Sequence, residues 1–246
     1  MNGFGAFKPQ SQIRCLALTL ATLFLLGLFD KGWSQEIGAN VDSESNLLLR
    51  FETLVDGTRK SIADACVYWD IRANRRFGTE LPAFPKVTTA HRLQLQNNVF
   101  VPRVSTMRAG QVLEIASEDK DHNLYLTWFA NSVRGYRNKL ATPLIYRREV
   151  EKAEPGAVSI RCNIHDDVQG WIFIHDNPYA GVTDQEGRVV IKALPTGRSV
   201  FRLNVPGQEF DFDHLLLSGK NIEAKNGRLS LDLVPGDNEF VVQLSK

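Results

Sequence analysis

Cys162-Asn163-Ile164-His165 lies between two short apolar runs, Ala157–Cys162 and Gly170–His175. Runs of this length, bounded by turn residues, read as strands. A cysteine and a histidine separated by two residues can then occupy the two sides of a tight loop. In that position a thiolate and an imidazole point toward one metal ion. Cys-x-x-His alone occurs often by chance, so its surroundings decide its weight. Pro155-Gly156 supplies a turn before the cysteine run. Upstream, His122 follows the acidic turn Glu118-Asp119-Lys120-Asp121 and opens the run His122-Asn123-Leu124-Tyr125-Leu126.

Two imidazoles and one thiolate form a soft donor set that suits copper better than hard cations. A trigonal arrangement with a weak axial group accepts both Cu(I) and Cu(II), so little rearrangement accompanies a change of oxidation state. Each residue also has a plainer reading. Cys162 and Cys66 read equally as buried core thiols, and as a pair they could form a disulfide that would consume the thiolate. His122 alone reads as a surface histidine at a strand end. His91, His175 and His214 have no such company and read as solvated or core-edge residues. Asn123 and Asn163 are placed to tie the two ligand loops together by hydrogen bonds. Asp119 and Asp121 read equally as supporting residues of the metal site and as turn residues with no duty there.

Outward from this block the chain reads as all-β. Asn46–Phe51 and Cys66–Ile71 are short apolar runs, and Arg92–Gln96 alternates with period two. Gln111–Ala116 and His122–Trp128 follow, with turn signals at Asn97-Asn98 and Ala109-Gly110. Ser61–Ala65 reads as a single helical turn. A boundary falls near Asn177-Pro178. Beyond it, Arg188–Lys192, Ser199–Val205, Arg228–Val234 and Glu239–Leu244 read as strands, Asn221–Lys225 as loop and Pro235-Gly236-Asp237-Asn238 as a turn. Trp171, Tyr179 and Phe201 are expected at the seam between the two parts.

The stretch Leu93–Tyr179 resembles the cupredoxin (plastocyanin-like) domain of bacterial methylamine-utilization-like proteins. The resemblance rests on Phe100-Val101-Pro102, Arg108-Ala109-Gly110-Gln111, Asp119–Asn123, Cys162–His165, Gly170-Trp171 and Asp176-Asn177-Pro178-Tyr179-Ala180. The segment after it resembles a carboxypeptidase-regulatory-like, transthyretin-like sandwich, through Val182-Thr183-Asp184, Gly187 and Leu194-Pro195-Thr196-Gly197. The resemblance implies a cupredoxin-like Greek-key sandwich over residues 35–177, its first strands near 45–72. A smaller transthyretin-like β-sandwich over 178–246 follows. It also implies one copper ion held by His122, Cys162 and His165. The family carries Pro-Trp-Met after the second histidine, with the methionine axial. Here Asp166, Asp167 and Val168 stand there, and Val168 cannot ligate. The implied site is three-coordinate, or takes water or a backbone carbonyl as its axial group.

The first 34 residues read as a secretory signal. Lys8 and Arg14 precede an uncharged run, Cys15–Phe29, and Gly32-Trp33-Ser34 ends the segment in small-x-small form. An uncleaved anchor is the alternative. Cleavage after Ser34 leaves two thiols, Cys66 and Cys162, in an oxidising compartment, periplasm or cell envelope. The whole chain has a net charge of +1, and nothing in that balance favours a nucleic-acid partner. No membrane span is expected in the mature chain. Gly-x-Ser-x-Gly, a phosphate loop and His-Glu-x-x-His are all missing from the sequence, so the expectation is a non-enzyme. Three readings stand: an electron carrier with a redox protein partner, a copper-handling protein, and a metal-free structural or binding module.

Overall fold

Leu47, Leu49 and Phe51 alternate along the first strand and are each fully buried, as a strand with one face on a core requires. In the computed structural model, which describes residues 44–119, 122–132 and 144–246, that strand is β1 (Glu44–Val55). It is followed by β2 (Thr58–Ser61), β3 (Cys66–Trp69) and a short helix, α1 (Ile71–Arg76). Next come β4 (His91–Gln96), β5 (Val99–Val101), β6 (Val104–Arg108), β7 (Val112–Ser117), β8 (Leu124–Leu126), β9 (Leu144–Glu149), β10 (Val158–Cys162) and β11 (Gln169–His175). The chain ends with β12 (Ala180–Val182), β13 (Arg188–Pro195), β14 (Gly197–Asn204), β15 (Asp211–Leu217), β16 (Lys220–Glu223), β17 (Arg228–Leu233) and β18 (Gly236–Ser245). The segment read as a signal, Cys15 within it, and Lys120 and Asp121 lie outside the described residues. Among the described residues no helix is long and apolar enough to cross a membrane.

The protein is all-β and forms two sandwiches. Strands β4 to β11 make two four-stranded sheets, ordered β5-β4-β7-β9 and β6-β11-β10-β8. Leu93, Phe100, Leu113, Ile115, Ile160 and Ile172 from both sheets fill one core between them. Gly170 is needed where β11 passes this core: a Cβ there would lie 2.9 Å from the Phe100 ring. The other sandwich has a six-stranded sheet, β13-β1-β18-β15-β16 with β2 on β1, facing the sheet β12-β3-β14-β17. Its core joins Leu47, Leu49 and Phe51 to Trp69, Phe201 and Leu231.

This pairing corrects the expected division at residue 178. The strands near 45–72 do not open the first sandwich. β1 lies between β13, antiparallel, and β18, parallel, and β3 lies between β12 and β14. The sandwich expected from residues 178–246 alone is therefore built from both ends of the described chain, and with sheets of six and four strands it is not the smaller one. Strands β4 to β11 are an insertion into it. Exit and re-entry points adjoin, because the Trp69 amide donates to the Tyr179 carbonyl at 2.9 Å. Tyr179 and Phe201 belong to the core of the enclosing sandwich, and only Trp171 of the three aromatics lies at the seam.

The Ser61–Ala65 segment is a turn rather than a helix, and α1 begins just after β3 instead. Asp70 caps it: Oδ1 accepts from the amides of Arg72 and Ala73 at 3.1 and 3.0 Å. The other oxygen accepts from Nε of Arg202 and Arg228 at 2.9 and 2.8 Å. Burial alone would push this carboxyl up. The bonds from Arg228, the Ala73 amide and Arg202 outweigh it and hold the pKa at about 2. Asn74 closes the clamp by donating to the Val200 carbonyl and accepting from the Val200 amide.

Both sandwiches belong to one unit, Asn40–Lys246, and their seam is aromatic. Arg103 pairs with Asp64 at 3.0 Å and lies 4.8 Å over the Trp171 ring. Phe173 and His175 of β11 face Tyr68 of β3, with the His175 ring stacked at 4.7 Å. Far from a solvated residue, His175 is buried, and desolvation lowers its pKa from 6.5 to about 4. The unfolded chain takes up this proton near pH 6.5, whereas the folded chain resists until about pH 4. Stability is therefore full above pH 6.5 and falls as pH drops toward 4, by at most about 3 kcal/mol. Urea unfolding at pH 7 and pH 4.5 checks this. His175→Phe, which keeps the stack and does not titrate, should lose markedly less stability between the two pH values than the parent.

Candidate metal centre

β8 and β10 pair antiparallel with Leu124 opposite Cys162. His122 stands two residues before β8, so this register carries it to the end of β10 where the Cys162–His165 loop begins. The strand is shorter than the expected run from His122, and the histidine precedes it. The tie between the two loops runs through the main chain: the Asn163 amide donates to the Asn123 carbonyl at 2.9 Å. On the far side of the loop, the Cys162 amide donates to the Val168 carbonyl, and the Val168 amide to the His165 carbonyl, at 3.1 and 3.2 Å. Val168 thus closes the loop. Its side chain is fully buried in the same apolar cluster as Cys162, Leu124 and Met107.

The three candidate residues converge. One ligand atom each from His122, Cys162 and His165 lies within 4.8 Å of the others. Cys162 Sγ is 3.6 Å from His165 Nδ1 and 3.4 Å from the Ile164 amide, which points at the sulfur. The two imidazoles meet edge to face with centroids 5.0 Å apart. His122 and Cys162 are buried, His165 is half-buried and Ile164 between them is exposed. The centre thus sits under one layer of side chains at the end of the inserted sandwich.

A metal ion fits this arrangement on two counts. Neither ring nitrogen of His122 has a hydrogen-bond partner among the described residues, although the ring is buried. Orphaned polar atoms in an apolar surrounding are costly and call for an explanation, and coordination of one nitrogen supplies it. The donors themselves, one thiolate and two imidazoles, are the soft and borderline ligands that select copper or zinc.

The remaining candidates do not join the cluster. Cys66 and Cys162 are both free thiols. Cys66 packs with Val104, Trp171 and Phe173 at the seam, whereas Cys162 packs in the inserted core. Burial pushes the Cys66 thiol well above its ordinary pKa, so it stays protonated and inert. His91 bonds to Ser105 at 2.9 Å, and His214 is exposed beside Asp211. Of the two acidic residues whose role the sequence leaves open, Asp119 lies beside the cluster: Oδ2 is 3.8 Å from His122 Nε2. The signal for it was its place three positions before the histidine, in an acidic turn.

No family model matches this sequence, and no curated protein does. Among solved structures, the chain is similar to the Cu-containing nitrite reductase (NirK) from Thermus scotoductus SA-01, at 19% identity and a TM-score of 0.31, over 40% of this chain and 25% of that one. It is similar to a purple cupredoxin from Nitrosopumilus maritimus, at 15% identity and a TM-score of 0.29, over 35% of this chain and 99% of that one. A Cu(I) form of an amicyanin mutant aligns at 11% identity and a TM-score of 0.31, over 36% of this chain and 85% of that one. The chain spans only a quarter of the nitrite reductase's length.

Proposed function

We propose that this chain is an exported, cupredoxin-type copper protein that carries single electrons and is not itself an enzyme. One ion is held by His122, Cys162 and His165. The observation that carries this reading is the buried convergence of one thiol and two imidazoles within 4.8 Å, together with the two orphaned nitrogens of His122. Copper bound there supplies reversible one-electron chemistry between Cu(I) and Cu(II).

The chain's own residues do the rest. Cys162 contributes the charged donor, steadied by the Ile164 amide. The hydrogen-bonded loop from Cys162 to Val168 keeps the donors at fixed separation whether the ion is oxidised or reduced. Buried Val168, Leu124 and Met107 keep water from the inner side. On the outer side, half-buried His165 and exposed Ile164 bring the centre within one side chain of a docked redox partner. The enclosing sandwich contributes none of the three donors and serves as the mount.

The test is titration of the reduced, thiol-intact protein with Cu(II) and, in parallel, Zn(II). One equivalent of copper should bind and give an intense band at about 600 nm, and voltammetry should be reversible. Stoichiometric binding without reversible voltammetry would favour copper handling over electron transfer. If no copper is taken up, the metal-free module replaces both readings. If zinc binds and copper gives no such band, the centre is structural.

A further inference from the structure

We propose that Asp119 is a positioning residue of this centre. Its carboxylate takes the Nε2–H of His122 and so leaves Nδ1 as the atom that faces the ion. This rests on the copper reading above, and it decides between the two roles that the sequence leaves open for this residue.

His122 is buried, and among the described residues both its ring nitrogens lack a hydrogen-bond partner. Coordination can account for one of them, and the other needs an acceptor. Asp119 Oδ2 is the charged oxygen paired with the ring, 3.8 Å from Nε2. That spacing is longer than a hydrogen bond. It still places a negative charge beside Nε2. His165 also turns Nδ1 toward the sulfur, so the two imidazoles would present the same atom to the ion.

The carboxylate is held there from two directions. Its own amide donates to Ser117 Oγ at 3.1 Å, at the end of β7. Oδ2 accepts from the Asn98 amide at 3.3 Å. Asn98 belongs to the two-residue turn between β4 and β5, where Gln96 pairs with Val99. Asn97 and Asn98 both have positive φ, 51° and 64°. Such turns need residues that tolerate the left-handed region, and asparagine does. The Asn97-Asn98 pair thus does more than reverse the chain, since its second amide aims at the carboxylate that faces the ligand. Asp119 remains about one-third exposed, lining an open surface pocket with Gln94, Gln96 and Ser117, so water screens part of its charge.

A carboxylate on the outer nitrogen fixes the tautomer, orients the ring and raises its donor strength. Negative charge beside the ion also favours Cu(II), which lowers the potential. Asp119→Asn keeps an oxygen acceptor and removes the charge, whereas Asp119→Ala removes both. Long-range 1H–15N correlation on the metal-free, reduced protein reads the tautomer directly. The parent and Asp119→Asn should show His122 protonated at Nε2 alone, and Asp119→Ala a mixture. With copper bound, the potential should rise in both variants, and Asp119→Ala should bind copper about ten-fold more weakly. An Asp119→Ala protein that keeps the single Nε2–H tautomer and the parent potential overturns the proposal. So does one whose only change is a lower melting temperature. If the parent takes up no copper, the reading of the centre fails, while the tautomer measurement still decides the role of Asp119.

Discussion

A chain that begins at Asn177 is expected not to fold, whereas residues 44–246 with 88–176 replaced by a short Gly-Ser linker should. The enclosing sandwich owes its central strand to the amino-terminal end of the described chain. β1 pairs with β18 from Ser45 to Thr53 and with β13 on its other side. Without it the six-stranded sheet is cut in two, and both new edges expose unpaired amides and carbonyls. Its three fully buried side chains, Leu47, Leu49 and Phe51, each contribute roughly 1.5–3 kcal/mol. Together they rival the net stability of a whole domain, about 5–15 kcal/mol. Val67 and Trp69 of β3 leave with them. The excision is tolerated because the chain leaves and re-enters the sandwich at adjoining points. Trp69 bonds to Tyr179, and Phe84 stacks edge-on against Tyr179 at 5.5 Å. Circular dichroism and amide dispersion in proton NMR separate the outcomes. A cooperative thermal transition in the 177–246 chain would show that β1 and β3 are dispensable, contrary to the register.

What the sequence made legible is local. The Cys162–His165 loop, the run that begins at His122 and the all-β class follow from short-range signals: apolar runs, turn residues and ligand spacing. Asn97-Asn98 is read correctly as a turn because positive φ at both positions favours asparagine. The division into sandwiches was not legible, because strand partnership is a long-range property. β1 reads as a strand whichever sheet it joins, and only its register with β18, nearly two hundred residues away, decides. The same limit hid β6, whose partner β11 is distant; β15 and β16 form a local hairpin, Leu217 opposite Lys220, and β16 falls where Asn221–Lys225 reads as loop. The helix α1 escaped for the opposite reason. Six residues cannot show a helical period, and the one usable signal was Asp70 as an N-cap. For His175 the core-edge reading holds and the solvated one does not, because a histidine stacked on Tyr68 in a seam has no sequence signature to choose between them. The axial position was legible as a departure: Val168 cannot ligate. The structure adds its reason for being there, which is closing the ligand loop and filling the apolar floor.

If copper binds as proposed, replacing Cys162 with serine should abolish the expected band and weaken copper binding by more than the roughly 10–100-fold typical of losing an outer partner. The same change at Cys66 leaves both untouched. The two thiols are chemically identical and both buried, so the contrast isolates position. Cys162 has an imidazole nitrogen 3.6 Å away, an amide pointing at its sulfur and a second histidine within reach. Serine there offers a hard, weakly acidic oxygen that would have to give up its proton to match the charge, and copper's preference for thiolate is lost. Cys66 packs with Val104, Trp171 and Phe173 at the seam and belongs to no cluster of metal-ligating side chains among the described residues. A serine hydroxyl in its place is buried with a poor choice of partners, which costs about 1–3 kcal/mol of stability and leaves metal uptake unchanged. The pair of variants therefore crosses over: one loses metal and the other loses stability. Isothermal titration and absorption spectra give the first axis, and urea unfolding gives the second. Full copper uptake with an intact band in Cys162→Ser would remove the thiolate from the centre and with it the carrier reading. Loss of the band in Cys66→Ser at unchanged fold would move the centre to the seam, where His175 is the nearest imidazole to Tyr68 and Phe173.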